Sequence, residues 1–426
     1  MICNLLKKLI FPLIAILLTC IGIVQADNLP QQTVISASPA VQPAQMPNTA
    51  PMIVPAPPNI KAKAYVLMDA NSGKIIAQKN MNQRVSPASL TKMMTLCLIS
   101  QALHSGTIKL DDEVLISKDA WKMGGSKMFI KVGKRISVKD LLQGIIVASG
   151  NDACMAMAEF VSGSQDVFAQ MMNTQAQALG MNDSHFTDCT GLPNKDHYST
   201  AHDLAVLARA LVIDFPEYYA WYKQKWFTYN GIRQPNRNRL LWRYTDADGI
   251  KTGHTKAAGF CLVSSAVRNG MRLIAVIMGA STDEARANGS IHLLNYGFRF
   301  FKSYAIYRPN KTIVKARVWF GSAKDIPVGA QAGVYVTIPA GQFKKAKVII
   351  QTQNNMRAPI AMGQTVGDVI VTVGNKPVTQ VPLVALTEVA RGGFFRRTMD
   401  HIAHLFHGWF SSGKMQSQVV PVVEQA

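Results

Sequence analysis

The chain has 426 residues, 48% of them hydrophobic, and a formal net charge of +20 at pH 7. That length gives room for two or three domains with a substantial core. The basic balance favours anionic partners such as a membrane surface or a wall polymer, and nucleic acid is set aside because no basic-aromatic recognition motif occurs. Lys7-Lys8, the apolar run from Leu9 to Val24 and the small-residue site Val24-Gln25-Ala26 read as a signal peptide over residues 1–26, cut after Ala26. The run falls short of the roughly 20 residues a spanning helix needs; an uncleaved anchor is the rival reading. Thr19 disfavours a lipoprotein site at Cys20. Residues 27–59 carry eight prolines among Gln, Ala, Ser and Thr and read as a flexible spacer.

Order is expected from residue 60. Residues 64–68 predict a strand, 69–73 a turn and 74–77 the returning strand. A helix is expected from about Pro87 towards Leu103, since proline suits a first helical position and apolar Met93, Met94 and Leu96 follow. Residues 107–110 and 113–116 suit a short extended pair, and the Gly/Ser/Met-rich stretch 122–131 is placed to border a site. Helices are predicted over 138–146, 152–161, 167–179 and 200–212, the last with Thr200 as N-cap. Strands are predicted over 226–229, 250–253, 260–266 and 272–278, the last two joined by the hairpin turn Asn269-Gly270, and a closing helix over 291–301. Cys97, Cys154, Cys189 and Cys261 show no C-x-x-C or zinc spacing; buried thiols are expected, and an oxidising compartment would permit a bridge.

The character changes twice more. Residues 305–390 hold short Val/Ile/Thr-rich strands with Gly and Pro turns, and read as a separate small all-β domain. Residues 391–411 place Phe395, Met399, Ile402, Phe406, Trp409 and Phe410 mostly three and four apart, with Arg396, Arg397, Asp400, His401, His404 and His407 between them. This predicts an amphipathic helix able to lie on an anionic membrane surface. A helix turns His407 away from His401, so no metal site is expected there. Residues 412–426 read as a polar tail.

The chemistry points to Ser89. Ser89 and Lys92 stand at i and i+3, so a helix brings them into contact. A serine hydroxyl needs a base to become a nucleophile, and lysine serves only if burial lowers its pKa from ~10.4. Ser411-Ser412-Gly413-Lys414 repeats the spacing by chance in the tail. Two companions single out the first copy: Ser149-Gly150-Asn151 and Lys251-Thr252-Gly253. Ser-x-x-Lys, Ser-x-Asn and Lys-Thr-Gly in that order are the signature of penicillin-interacting serine acyl enzymes.

With these motifs the chain resembles the low-molecular-mass penicillin-binding proteins, and more closely the D-alanyl-D-alanine carboxypeptidases, from about Lys61 to Phe410. The resemblance implies an α+β multi-domain protein. Its catalytic domain, over 60–304, would be penicillin-binding/β-lactamase-like, an antiparallel sheet flanked by helices with a helical lobe. The β domain and the membrane-anchoring helix would follow. It also implies the roles: Ser89 as nucleophile, Lys92 as general base, Ser149 as proton relay, Asn151 ordering Lys92 and the peptide, and Lys251 as a charged neighbour keeping Lys92 neutral. Backbone N–H groups of Ser89 and His254 would form the oxyanion hole, Thr252 and Arg286 would receive the substrate's terminal carboxylate, and Gly253 would also line the substrate site. The implied partners are peptidoglycan stem peptides and β-lactam antibiotics, without cofactor or metal, on the periplasmic side of the cytoplasmic membrane. His202 stands where the family usually has arginine, at a position expected near the Lys-Thr-Gly strand. A class A β-lactamase, a DD-endopeptidase and a non-catalytic wall-binding scaffold are the alternatives.

Overall fold

The computed structural model describes residues 53–401 and 415–421. The expected signal peptide, residues 27–52 of the spacer and residues 402–411 of the expected tail helix lie outside the described residues.

A five-stranded antiparallel sheet is the frame. Strands β1 (Ala64–Asp69) and β2 (Ile75–Lys79) form a hairpin, and β3 (Ala247–Thr255), β4 (Gly259–Arg268) and β5 (Met271–Ala280) complete the order β2-β1-β5-β4-β3. Asn269 and Gly270 both adopt positive φ, 50° and 76°, the paired left-handed geometry that closes a tight hairpin between β4 and β5.

Successive strand side chains point to opposite faces. Ala64, Val66 and Met68 join one core with Ile274, Val276 and Met278, while Tyr65 and Leu67 join the other with Leu273, Ala275 and Ile277. Burial on both faces explains the apolar runs Ala64–Met68 in β1 and Leu273–Met278 in β5. Helix α1 (Lys92–His104) lies in the first core with α2 (Val138–Gln143), α3 (Asn151–Ser162), α4 (Gln165–Ala178) and α5 (Ala201–Asp214). Helix α6 (Asp283–Phe300) covers the opposite face through Leu293 and Leu294. Thr200 caps α5 as expected, accepting from Asp203 N at 3.1 Å.

Three elements differ from expectation, and the strand expected over 226–229 forms a hairpin of its own. Residues 107–110 do not pair with Glu113–Leu115, because a turn closed by Asp112 Oδ2 on Lys109 N (2.8 Å) separates them; Glu113–Leu115 pairs instead with Arg135–Ser137. The hairpin Trp226–Tyr229 with Ile232–Pro235 stands apart from the main sheet. Helix α6 starts at Asp283, capped by Thr282 Oγ1, eight residues before the expected start; its small Ala285, Ala287, Gly289 and Ser290 hide the apolar stripe. The chain also enters the β unit at Phe301, earlier than residue 305, since that strand pairs from Phe301 with Pro339.

That unit has its own core. Strand β6 (Phe301–Tyr307) pairs with β9 (Val334–Pro339). A seven-stranded sheet is built from β7 (Thr312–Trp319), β8 (Asp325–Gly329), β10 (Ala346–Gln353), β11 (Met356–Arg357), β12 (Thr365–Val373), β13 (Lys376–Ala385) and β14 (Met415–Pro421), in the order β11-β7-β8-β13-β12-β10-β14. Strand β14 comes from the stretch read as a polar tail. It pairs antiparallel along the whole edge of β10, from Lys347↔Pro421 to Gln353↔Met415. The seam between the two units combines polar contacts, Ser72 Oγ 2.6 Å from Thr337 Oγ1 and Ser303 Oγ donating to Asp69 Oδ1 at 3.3 Å, with the Phe301 ring against Tyr296.

An unpaired edge exposes N–H and C=O groups to solvent. Removing residues 415–426 should therefore speed amide hydrogen exchange in Ala346–Gln353, measured by mass spectrometry, while β1 and β5 keep their protection.

Candidate active site

The nucleophile turn is tighter than an α-helix. Residues Ala88–Thr91 form a 3₁₀ turn, and α1 begins at Lys92. In a 3₁₀ turn side chains at i and i+3 eclipse, so Lys92 stands directly over Ser89. Lys92 Nζ donates to Ser89 Oγ at 3.0 Å and to Thr190 O at 2.9 Å. Lys92 is fully buried, while Ser89 is only partly so. Ala88, just before the serine, holds φ at 49°, an uncommon conformation of the kind that gathers at reactive turns.

The second motif comes from the opposite wall. Helix α2 ends in a π-helical turn, Gly144–Ala148, that stops at Ser149 in the left-handed conformation (φ 60°, ψ 35°). Ser149 Oγ accepts from Lys251 Nζ at 2.9 Å. Asn151 opens α3, and its Nδ2 donates to Gly124 O at 2.6 Å rather than to Lys92. Its Oδ1 is buried without a hydrogen-bond partner in the protein.

The third motif lies on β3. Lys251 Nζ also donates to Thr252 O at 3.2 Å. A Cβ at Gly253 would sit 2.8 Å from Pro87 O and 3.2 Å from Ser89 N, so only glycine lets this strand lie flush on the nucleophile turn. His254 is exposed, its ring 4.0 Å from that of Phe260. Arg286, on α6, donates to Gly253 O (3.1 Å) and Cys261 O (3.0 Å) and pairs with Asp283.

These side chains surround a cleft of about 440 Å³ lined by Ser89, Gly125, Ser126, Ser149, Arg237, Thr252, Gly253, His254 and Arg286. The stretch 122–131 borders it as expected, through Gly125 and Ser126. Arg237 and Thr190 were not visible as site residues in the sequence, because each reaches the site from an irregular segment with no motif. Arg237 is held by its Nε–H on Ala148 O at 3.2 Å. His202 does not reach the Lys-Thr-Gly strand: its ring pairs with Asp203 (3.1 Å), its N–H bonds Met81 O, and α5 packs on β1 and β5.

Burial governs the electrostatics. It pushes the Lys92 amine down from its usual value; Asp188 opposes this and Arg237 adds to it. The neighbouring thiols bring no charge at neutral pH, since burial lifts Cys154 to about 12 and Cys189 well above the ordinary thiol range. Lys251 is pushed well below the usual amine value, first by burial, then by Lys92 and Arg237. The effect seen is thus that of Lys92 on Lys251, the reverse of the expected direction. Among the described residues, Cys97, Cys154, Cys189 and Cys261 are buried free thiols.

Residues 51–282 match the D-alanyl-D-alanine carboxypeptidase family, and residues 301–391 match the C-terminal domain of penicillin-binding protein 5. The chain is 46% identical over 363 residues to the D-alanyl-D-alanine carboxypeptidase DacC of Escherichia coli, covering 83% of this chain and 91% of that one. It is 43% identical over 366 residues to DacA of the same organism, covering 84% and 91%. The crystal structure of penicillin binding protein 5 from Haemophilus influenzae superposes with a TM-score of 0.72 at 41% identity, over 79% of this chain and 99% of that one. The chain belongs to the D-alanyl-D-alanine carboxypeptidase family of low-molecular-mass penicillin-binding proteins.

Proposed function

We propose that this protein is a serine carboxypeptidase that removes the terminal D-alanine from peptidoglycan pentapeptide stems through an acyl-enzyme on Ser89, and that β-lactams acylate the same serine. The observation that carries this reading is the 3.0 Å contact between a buried lysine amine and a cleft-facing serine hydroxyl.

Ser89 Oγ attacks the carbonyl carbon between the two terminal D-alanines as its proton passes to Lys92. Backbone N–H groups of Ser89 and His254 receive the oxyanion; losing one such donor typically costs about 10²–10³ in rate. The carbon–nitrogen bond then breaks, and the departing D-alanine amine takes its proton through Ser149, which Lys251 orients. Thr252 and Arg286 receive the terminal carboxylate from the cleft wall, and Asn151 Oδ1, unpaired in the free protein, takes a polar hydrogen of the bound peptide or of Lys92. Water finally attacks the ester and frees Ser89. The intact Ser89–Lys92 contact disfavours a non-catalytic scaffold. The β unit disfavours a β-lactamase or an endopeptidase, which in the family pattern lack it.

The location follows from both ends of the chain. Residues 1–26 direct export, and residues 391–411 anchor the enzyme peripherally on the outer face of the cytoplasmic membrane. Two features support the anchor. Residues 394–401 are helical, with Phe394, Phe395 and Met399 79%, 86% and 69% exposed beside Arg396 and Arg397. Asp400 ties this start to the β unit by accepting from Phe320 N at 2.8 Å. Burying one such apolar side chain is worth ~1.5–3 kcal/mol at most, and a cation near an anionic leaflet adds about 1 kcal/mol, which suits reversible attachment.

Labelling with a fluorescent penicillin tests the chemistry. Ser89→Ala should abolish it and Ser411→Ala should leave it unchanged. Lys92→Arg, which offers no neutral amine, should slow it by about 10²–10⁴-fold.

Co-sedimentation with anionic vesicles tests the anchor. Mature protein lacking residues 394–426 should stay in the supernatant with its penicillin acylation intact, and protein lacking only 415–426 should still pellet. Equal pelleting of the two forms would refute the anchor.

A further inference from the structure

A segment with no catalytic motif closes over the buried side of the nucleophile turn. Cys189 O accepts from Thr95 Oγ1 at 2.6 Å, and Thr190 O accepts from Lys92 Nζ at 2.9 Å. Gly191 follows at φ 84°, so close that a side chain there would strike Ala88 O and Thr91 Oγ1.

Asp188 holds this segment in shape. Its Oδ1 accepts from Thr190 N (2.6 Å), Thr190 Oγ1 (2.6 Å) and Gly191 N (2.7 Å). Its Oδ2 lies 3.3 Å from Nδ1 of His197, whose side chain is 1% exposed. Nε2 of the same ring lies 2.8 Å from Thr91 Oγ1, inside the Ser89–Lys92 turn. Thr187 N and Oγ1 close on Nδ1 at 3.2 and 3.1 Å. One carboxylate thus reaches the nucleophile turn by two routes: through Thr190 to Lys92, and through His197 to Thr91.

The geometry has a chemical consequence. A neutral lysine amine has two N–H donors and one lone pair. With an N–H spent on Thr190 O, rotation about the last carbon–nitrogen bond is restricted, and the turn that swaps the N–H on Ser89 Oγ for the lone pair keeps the nitrogen 3.0 Å from that oxygen. We propose that Asp188, braced by His197, is a positioning residue for acylation, fixing the Thr190 carbonyl that aims Lys92 at Ser89. The inference rests on the acyl-enzyme reading above.

The carboxylate also has an electrostatic effect of known sign. Burial alone would raise its pKa, but the His197 ring 3.3 Å away and the hydrogen bonds from Thr190 win and hold it well below the usual carboxylate range. It is therefore an anion near pH 7 and favours protonated Lys92. The other groups acting on Lys92 are the neutral thiols of Cys154 on α3 and Cys189 and the cation Arg237, while Lys92 itself acts on the Lys251 amine on β3. Removing the Asp188 charge makes Lys92 lose its proton more readily.

The test is the second-order rate of penicillin acylation as a function of pH, on the mature full chain. In Asp188→Asn the plateau rate should fall by about 10²-fold, the scale of a roughly 1 Å misplacement, and the acid limb should move to lower pH. A wild-type plateau, or a slowed reaction with its acid limb unmoved, overturns the proposal; the latter marks a merely structural role. If Asp188→Asn does not fold, His197→Gln decides. Slowing by about tenfold, one hydrogen bond's worth, with the limb in place supports the brace, and a wild-type rate overturns it. Labelling that survives in Ser89→Ala would instead overturn the acyl-enzyme reading.

Discussion

Two neighbouring lysine amines are buried with no carboxylate partner among the described residues, and the site depends on that constraint. Lys92 is fully buried and Lys251 is 2% exposed. Their hydrogen bonds go to Ser89, Thr190, Ser149 and Thr252, all neutral oxygens. Taking an ammonium out of water is costly unless an anion compensates, so the cheaper state is the neutral amine. That state can accept a proton from serine. A carboxylate in direct contact would stabilise the fold of this pocket and remove its base. Asp188 is the nearest compromise: it acts on Lys92 only as a charge at a distance, and spends its oxygens on His197, Thr190 and Gly191.

Holding such a pair needs rigid walls. The sheet supplies one, since burial on both faces leaves β3 little freedom and Gly253 lets it touch the nucleophile turn. The all-round buried α1 supplies another, and the π-turn before Ser149 the third. The β unit stands off this machinery, bound at a seam of Ser72, Thr337, Ser303 and Asp69. Its core is separate from the two that flank the main sheet.

Much of this was legible in the sequence, for physical reasons. Ser89, Lys92, Ser149, Asn151 and Lys251 sit in short local motifs, and the structure brings them together around one cleft. β1 and β5 announce themselves as apolar runs, and Asn269-Gly270 as a turn. The illegible parts depend on distant partners. Thr190, Asp188 and Arg237 act from irregular segments, and a loop carbonyl carries no side-chain signature. β14 is a mixed Gln, Ser and Val stretch that becomes a strand only because β10 offers it an edge. The pairing of Glu113–Leu115 was misread because its partner lies twenty residues on, at Arg135–Ser137. His202 was expected near the Lys-Thr-Gly strand, yet its helix packs on β1 and β5.

The account stands on Lys92 being a neutral amine at working pH. Direct titration of the Lys92 side chain by NMR, in isotope-labelled mature protein with the signal assigned by its loss in Lys92→Arg, measures that state without relying on turnover. The amine should titrate well below the ordinary lysine value of ~10.4 and give no ammonium signal near neutrality. A titration at or above that value would contradict the account, since Ser89 would then face a cation with no lone pair to take its proton.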